Sequence, residues 1–237
     1  MKLTIAGAGV VGNAHKDFFT KKCALRIVDP KINDLKVDAK TDGLIVCVDT
    51  PSMPDGSCDY SNIYNVLSEA PNVPILIKST IDMRTWEVIQ ANFSDLIISY
   101  SPEFLRAETA SQDLLVAREL LIGGGLVKFW GSMFNKKVVE ATVEELIVAK
   151  YARNSFLATK VSFFNQIYDY CEKSNIDYEK VAELTGLDSR IGDSHTEVTE
   201  ERGWGGHCFP KDVRAFIKMT GGMSILNHIT DYNNKIR

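Results

Sequence analysis

One segment, Gly7-Ala8-Gly9-Val10-Val11-Gly12, constrains the fold of this chain more than any other. It follows a short apolar run, Leu3–Ala6, and opens an amphipathic stretch, Val10–Phe19. With G-x-G-x-x-G spacing at a strand–helix junction, the first glycine makes the tight turn and the second lets the backbone approach a pyrophosphate. The third lets helix and strand pack closely, and the phosphates lie over the helix N-terminus. A second apolar run, Leu25–Asp29, ends in an acid about 20 residues on, where a ribose-binding carboxylate belongs. Asp29 there would accept hydrogen bonds from ribose hydroxyls and repel a 2′-phosphate, which favours NAD over NADP. Gly7, Gly9, Val10, Val11, Gly12 and Asp29 are therefore expected to bind the cofactor.

The alternation continues. Gly43–Cys47, Pro74–Lys78, Leu96–Tyr100 and Leu120–Gly123 read as strands, and Ser61–Glu69, Thr85–Asn92 and Leu126–Phe134 as helices. This order predicts an α/β fold, a Rossmann-like, doubly wound parallel sheet with helices on both faces. Near Val138 the pattern changes. From Thr142 to about Ser174 there is no Gly or Pro, and Leu146, Ile147, Tyr151, Phe156, Val161, Phe164, Ile167 and Tyr168 recur at helical spacing. Thr142 with Glu145 is a capping-box pattern. The segment predicts one helix of about 30 residues, roughly 45 Å long, with room to pack against a second copy as a homodimer. Shorter helices are expected at Tyr178–Thr185, Lys211–Lys218 and Ser224–Asn233, with a loop over Asp188–Arg202. Two domains follow: 1–137 for the cofactor and an all-α domain over 138–237.

A net charge of −4 in 237 residues argues against nucleic acid and membrane surfaces as partners. No apolar run approaches the roughly 20 residues of a membrane span, and the N-terminus lacks the order of a signal peptide. The five cysteines (Cys23, Cys47, Cys58, Cys171 and Cys208) are odd in number and irregularly spaced. That pattern predicts reduced thiols, no metal and a cytoplasmic location.

Chemistry concentrates in Gly203-Trp204-Gly205-Gly206-His207-Cys208-Phe209-Pro210-Lys211-Asp212. Three glycines allow the backbone to fold closely around a substrate, and Pro210 with Asp212 marks a helix start. Cys208 then sits ahead of a helix N-terminus, where the macrodipole and Lys211 favour its thiolate. His207 is adjacent in sequence and so poorly placed to pair with it. Lys150 and Asn154 share a helix face; they read either as a solvated face or as a pair converging on an oxyanion. Glu103, after a strand end, reads as a surface carboxylate or a general base. Thr50 and Thr80, at strand ends, fit either helix caps or groups facing the ligand crevice.

Taken together, GAGVVG, CVDTP, KST, SPEFLR, AKYARNSFLATKVSFFN, DSRIGD and GWGGHCFPKD resemble the UDP-glucose/GDP-mannose dehydrogenase family, in family order from Gly7 to Asp212. The resemblance implies a four-electron, NAD-dependent oxidation of a nucleotide sugar, with UDP-glucose the first choice. It implies Cys208 as the covalent catalyst through a thiohemiacetal and thioester, and Lys150 with Asn154 as oxyanion stabilisers. Asp212 and Thr80 would orient that cluster and its water, and Glu103 would be an acid/base group. The substrate would meet Glu103, Phe104, Leu105, Lys150, Asn154 and Gly205, with Arg190 reaching a neighbouring subunit.

The chain departs from the family in three places. Arg106-Ala107-Glu108 lacks the usual second glutamate, so either its role is lost or Glu108 replaces it. The segment after Asp29 lacks the usual helical insertion. The sequence ends after Tyr232-Asn233-Asn234, where the family continues into a second nucleotide-binding domain; a partner chain that supplies it, a shortened chain or a naturally minimal enzyme would all fit. Two other readings stay open: a two-electron β-hydroxyacid dehydrogenase, against which the cysteine segment argues, and a non-catalytic NAD-binding remnant.

Overall fold

A computed structural model describes all residues except Asp34 and Asp38. The chain divides into two compact units, one of 1–51 with 58–150, the other of 52–57 with 151–237.

The first unit is a sheet with helices on both faces. Its strands are β1 (Lys2–Ala6), β2 (Ala24–Val28), β3 (Gly43–Val46), β4 (Ile75–Ile77), β5 (Ile98–Tyr100), β6 (Glu119–Gly124) and β7 (Lys137–Glu140). Helices α1 (Val10–Phe19), α2 (Ser61–Ser68), α3 (Met83–Asn92), α4 (Ala110–Val116) and α5 (Val127–Phe134) connect them. The strand order is β2-β1-β3-β4-β5-β6-β7. The chain runs one way from β1 to β2 and the other way from β3 to β5, so right-handed crossovers put α1 on the face opposite α2 and α3. Leu3, Ile5, Ile45 and Leu76 pack with Ala14, Phe19, Leu114, Trp130 and Phe134 of α1, α4 and α5. The alternate residues Leu44, Val46, Ile75 and Ile77 are also fully buried and point to the other face.

The α/β, doubly wound architecture is as expected, with three differences of detail. β6 runs antiparallel to β5, pairing Ser99 with Gly124 and Tyr100 with Gly123, while the other pairs are parallel. The glycine pair permits this: at Gly124, φ is +91° and an added Cβ would lie 2.6 Å from the Ile98 carbonyl oxygen. Helix α4 was not anticipated because seven residues are too few to show a period; it lies along α1. β7, also unanticipated, is an edge strand with exposed Lys137 and Glu140 at its ends, a common way to blunt an edge. Between Asp29 and β3 the described residues form neither helix nor strand.

The second unit is helical. Helix α6 (Val143–Ser174) starts in the first unit and is followed by α7 (Tyr178–Gly186), α8 (Phe209–Thr220) and α9 (Ser224–Ile236). The capping box forms reciprocally: Thr142 N–H donates to Glu145 Oε2 at 2.8 Å, and Glu145 N–H to Thr142 Oγ1 at 3.1 Å. One side of α6 is buried through Leu146, Ile147, Tyr151, Ala158 and Phe164. Phe156, which the periodicity places on the packing face, is 68% exposed instead. It belongs with exposed Val148, Phe163 and Tyr170 to a second apolar stripe, which a single period cannot separate from the first. Residues 188–202 form turns without helix or strand.

Candidate functional site

The glycine turn lies where the strand order reverses, between the carboxyl ends of β1 and β3, which is where open α/β sheets bind ligands. Gly7 has φ +95°, and a Cβ there would lie 2.6 Å from the Cys47 carbonyl oxygen; at Gly12 it would lie 1.9 Å from the Gly7 carbonyl oxygen. Both positions admit only glycine. At Gly9, the N-cap of α1, nothing lies within 4 Å of an added Cβ. No side chain caps α1, and its first turn carries no acid. Its leading amides therefore face open space, as a diphosphate requires. Val10 is half exposed there and Val11 packs on the core. Asp29 accepts from Ala8 N–H at 2.7 Å and Lys31 N–H at 2.9 Å, so its carboxylate is held beside the turn. These features fit a dinucleotide. Thr50 is buried and Thr80 partly so, each following a strand of this crevice.

Behind the turn lies a charged cluster that sequence reasoning missed. Lys78, 4% exposed, places Nζ 3.1 Å from Glu103 Oε2 and donates to Ser101 Oγ at 2.9 Å. His15, fully buried on α1, has Nε2 3.8 Å from the same carboxylate oxygen. Burial raises the Glu103 carboxyl, but Lys78 and His15 together bring it below the usual range. Burial and Lys78 lower His15 to about 4. Burial also raises the Cys47 thiol well above its ordinary value. The signal was available: a lysine closing the apolar run Ile75-Leu76-Ile77, and a histidine on the buried side of α1. Lys150 joins this cluster by donating from Nζ to the Glu103 carbonyl oxygen at 2.6 Å. Phe104 lies beneath the same ammonium, whose distance from the ring centroid is 5.3 Å, and Leu105 packs on the core.

In the second unit, Asn154 is buried and donates from Nδ2 to Asp212 Oδ2 at 2.5 Å. Asp212 is 1% exposed and also takes the Lys211 ammonium on Oδ1 at 2.8 Å. The ammonium expected beside Cys208 thus pairs with Asp212. Cys208 is exposed at the N-cap of α8, its carbonyl accepting Asp212 N–H at 2.9 Å. The preceding loop is braced from two helices. Asn165 Oδ1 accepts from Gly203 N–H and Arg202 Nε, while Arg202 pairs with Asp169 at 2.5 Å. Trp204 N–H donates to Asn233 Oδ1 at 2.7 Å, and Asn233 Nδ2 donates back to the Trp204 carbonyl at 3.0 Å. Gly205 borders a cavity of about 270 Å³ shared with Arg214 and Arg237. Arg190 is exposed and held by Asp188 at 2.5 Å. His207 is exposed. Among the described residues no group of His, Cys, Asp and Glu is arranged to hold a metal ion, and no helix is long and apolar enough to cross a membrane.

Residues 33–129 match the NAD binding domain of the UDP-glucose/GDP-mannose dehydrogenase family, and residues 144–235 match its central domain. The chain belongs to that family. NAD is accordingly the cofactor of the first unit. Among relatives, UDP-glucose 6-dehydrogenase YwqF of Bacillus subtilis is 28% identical over 99% of this chain and 66% of its own length. UDP-glucose 6-dehydrogenase AglM of Haloferax volcanii is 32% identical over 75% of this chain and 47% of its own. The structure of a UDP-glucose dehydrogenase from Pyrobaculum islandicum superposes with a TM-score of 0.86 at 24% identity, covering 99% of this chain and 68% of that one. The chain thus spans two thirds or less of the length of these curated relatives.

Proposed function

We propose that this family member oxidises the primary alcohol of a nucleotide sugar to a carboxylate, with UDP-glucose as the preferred substrate. The observation that carries the reading is the Asn154–Asp212–Lys211 cluster one helical turn from an exposed Cys208. A two-electron alcohol dehydrogenase has no use for such a cysteine. The relatives named as UDP-glucose 6-dehydrogenases and the SPEFLR and RIGD segments favour glucose.

NAD, when bound, would supply hydride acceptance, one molecule for each of two oxidations. First the alcohol loses a hydride and a proton to become an aldehyde. The Cys208 thiolate then adds to the aldehyde carbon, and the resulting oxyanion takes a proton to give a thiohemiacetal. Loss of a second hydride and the hydroxyl proton yields a thioester. Water attacks it, the C–S bond breaks, and carboxylate and thiol are released. Lys150 and Asn154, one turn apart on α6, stabilise the oxyanions. Asp212 orients Asn154 and the attacking water. Phe104, Leu105, Gly205 and Arg190 contribute to sugar binding. The second unit also serves as a dimerisation domain. The aromatic stripe Phe156, Phe163 and Tyr170 recurs every seven residues on the exposed side of α6, and a second copy of that helix would cover it.

The test is NADH formation by the purified chain with UDP-glucose, UDP-N-acetylmannosamine and GDP-mannose. Two NADH per carboxylate formed with UDP-glucose is expected. No NADH with any of the three, despite NAD binding, would refute catalysis by this chain alone.

A further inference from the structure

Residues 188–196, which carry Arg190, have neither helix nor strand of their own, yet two helices fasten them. Lys160, on α6, donates from Nζ to the Ile191 carbonyl at 2.8 Å and to the Gly192 carbonyl at 3.2 Å. Tyr178 Oη, on α7, donates to the Thr196 carbonyl, and Thr196 Oγ1 to the Asp193 carbonyl at 2.7 Å. Within the loop, the Asp188 carbonyl accepts the Ile191 and Gly192 amides at 2.8 and 2.9 Å, and Asp188 Oδ1 accepts the Arg190 amide at 3.0 Å. The His195 ring lies 5.9 Å from that of Phe209, the residue after Cys208.

Lys160 is 9% exposed. Those two carbonyls and the Phe164 ring, 5.9 Å from centroid to ammonium, are its partners, with no ion-pair carboxylate among the described residues. A buried charge without a counter-ion is a poor source of stability. Nor do the carbonyls need this donor. Ile191 is exposed, and nothing lies within 4 Å of a Cβ added at Gly192, so water has access to both. What water cannot do is fix them relative to α6. We propose that Lys160 is a positioning residue, a pin that holds the 188–196 loop so that Arg190 is presented to the substrate and His195 stays against Phe209 beside Cys208. The proposal rests on the reading above only in giving Arg190 a part in substrate binding.

Brief trypsin digestion of the folded full chain, read by mass spectrometry, tests the pin. In Lys160→Met, cleavage after Arg190 is expected to quicken several-fold relative to cleavage after exposed Lys31. Lys160→Arg, which keeps the charge and the donors, should restore the wild-type ratio. Titration with UDP-glucose reads the consequence: Lys160→Met should weaken binding several-fold, with the affinity for NAD unchanged. In an Arg190→Ala background the same substitution should weaken it no further, because effects that pass through one shared group do not add. Should Lys160→Met not fold, Lys160→Gln, which keeps a donor for one carbonyl, is expected to move both readouts in the same direction. An unchanged cleavage ratio in a folded variant overturns the proposal, and so does a loss of affinity that persists without Arg190. A wild-type chain that binds no UDP-glucose would sink the proposed substrate, yet the cleavage ratio would still decide whether Lys160 holds the loop.

Discussion

Acid should weaken the NAD-binding unit through His15 before its carboxylates begin to titrate. The imidazole is fully buried, its Nδ1–H donates to the Val11 carbonyl at 2.8 Å, and its ring edge meets Phe134 at 5.7 Å. Burial and Lys78 lower it to about 4 from 6.5, against the opposing pull of Glu103. Between those two values the unfolded chain binds a proton that the folded chain refuses. Stability is therefore fully present above pH 6.5 and is lost as the pH falls toward 4. The gap amounts to about 3 kcal/mol, a large part of the ~5–15 kcal/mol that holds a typical domain. Urea denaturation at pH 7, 6, 5 and 4.5 measures it, with His15→Asn as the comparison. The substitution costs some packing at every pH, so the slope is the readout. Wild type should lose about 2 kcal/mol of stability between pH 7 and 4.5, and His15→Asn should be nearly flat above pH 5. Equal slopes in the two proteins would refute the reasoning.

Gly9→Ala should leave the melting temperature unchanged and weaken NAD binding, because its Cβ enters open space that the phosphates would occupy. Gly12→Ala should both abolish NAD binding and destabilise by at least ~1–3 kcal/mol, the usual cost of overpacking; calorimetry and thermal melting separate the two. Cys208→Ser should block carboxylate formation by several orders of magnitude, by analogy with the roughly 10⁶-fold losses of other covalent catalysts, while titration shows NAD still bound. Phe156→Glu/Phe163→Glu should convert a dimer to a folded monomer in light scattering, and a wild-type monomer at micromolar concentration would rule out the α6 interface.

Elements with a long period or a motif were legible in sequence. The glycine turn, the 32-residue α6 with its capping box and the start of α8 at Pro210 all stand where local chemistry puts them. Asn154 and Asp212 are 58 positions apart, so only a motif could suggest their contact. Other features had no local cause. The direction of β6 depends on the Gly123-Gly124 approach to β5, a tertiary matter. The Lys78–Glu103–His15 cluster joins three elements, and each residue taken singly looks ordinary. Phe156 misled because α6 carries two apolar faces, one buried within its unit and one exposed.

The double hydrogen bond between Asn233 and Trp204 has a consequence for the order of assembly. The loop bearing Cys208 has no strand or helix of its own to hold residues 202–206, and three of them, Arg202, Gly203 and Gly206, adopt left-handed backbone. Its rigidity is borrowed from α6 and α9, which lie on either side of it in sequence. During synthesis α6 is complete long before α9 emerges, so Cys208 should remain on a loose segment until α9 docks. Hydrogen exchange should accordingly show the Trp204 amide opening together with α9 and independently of the sheet.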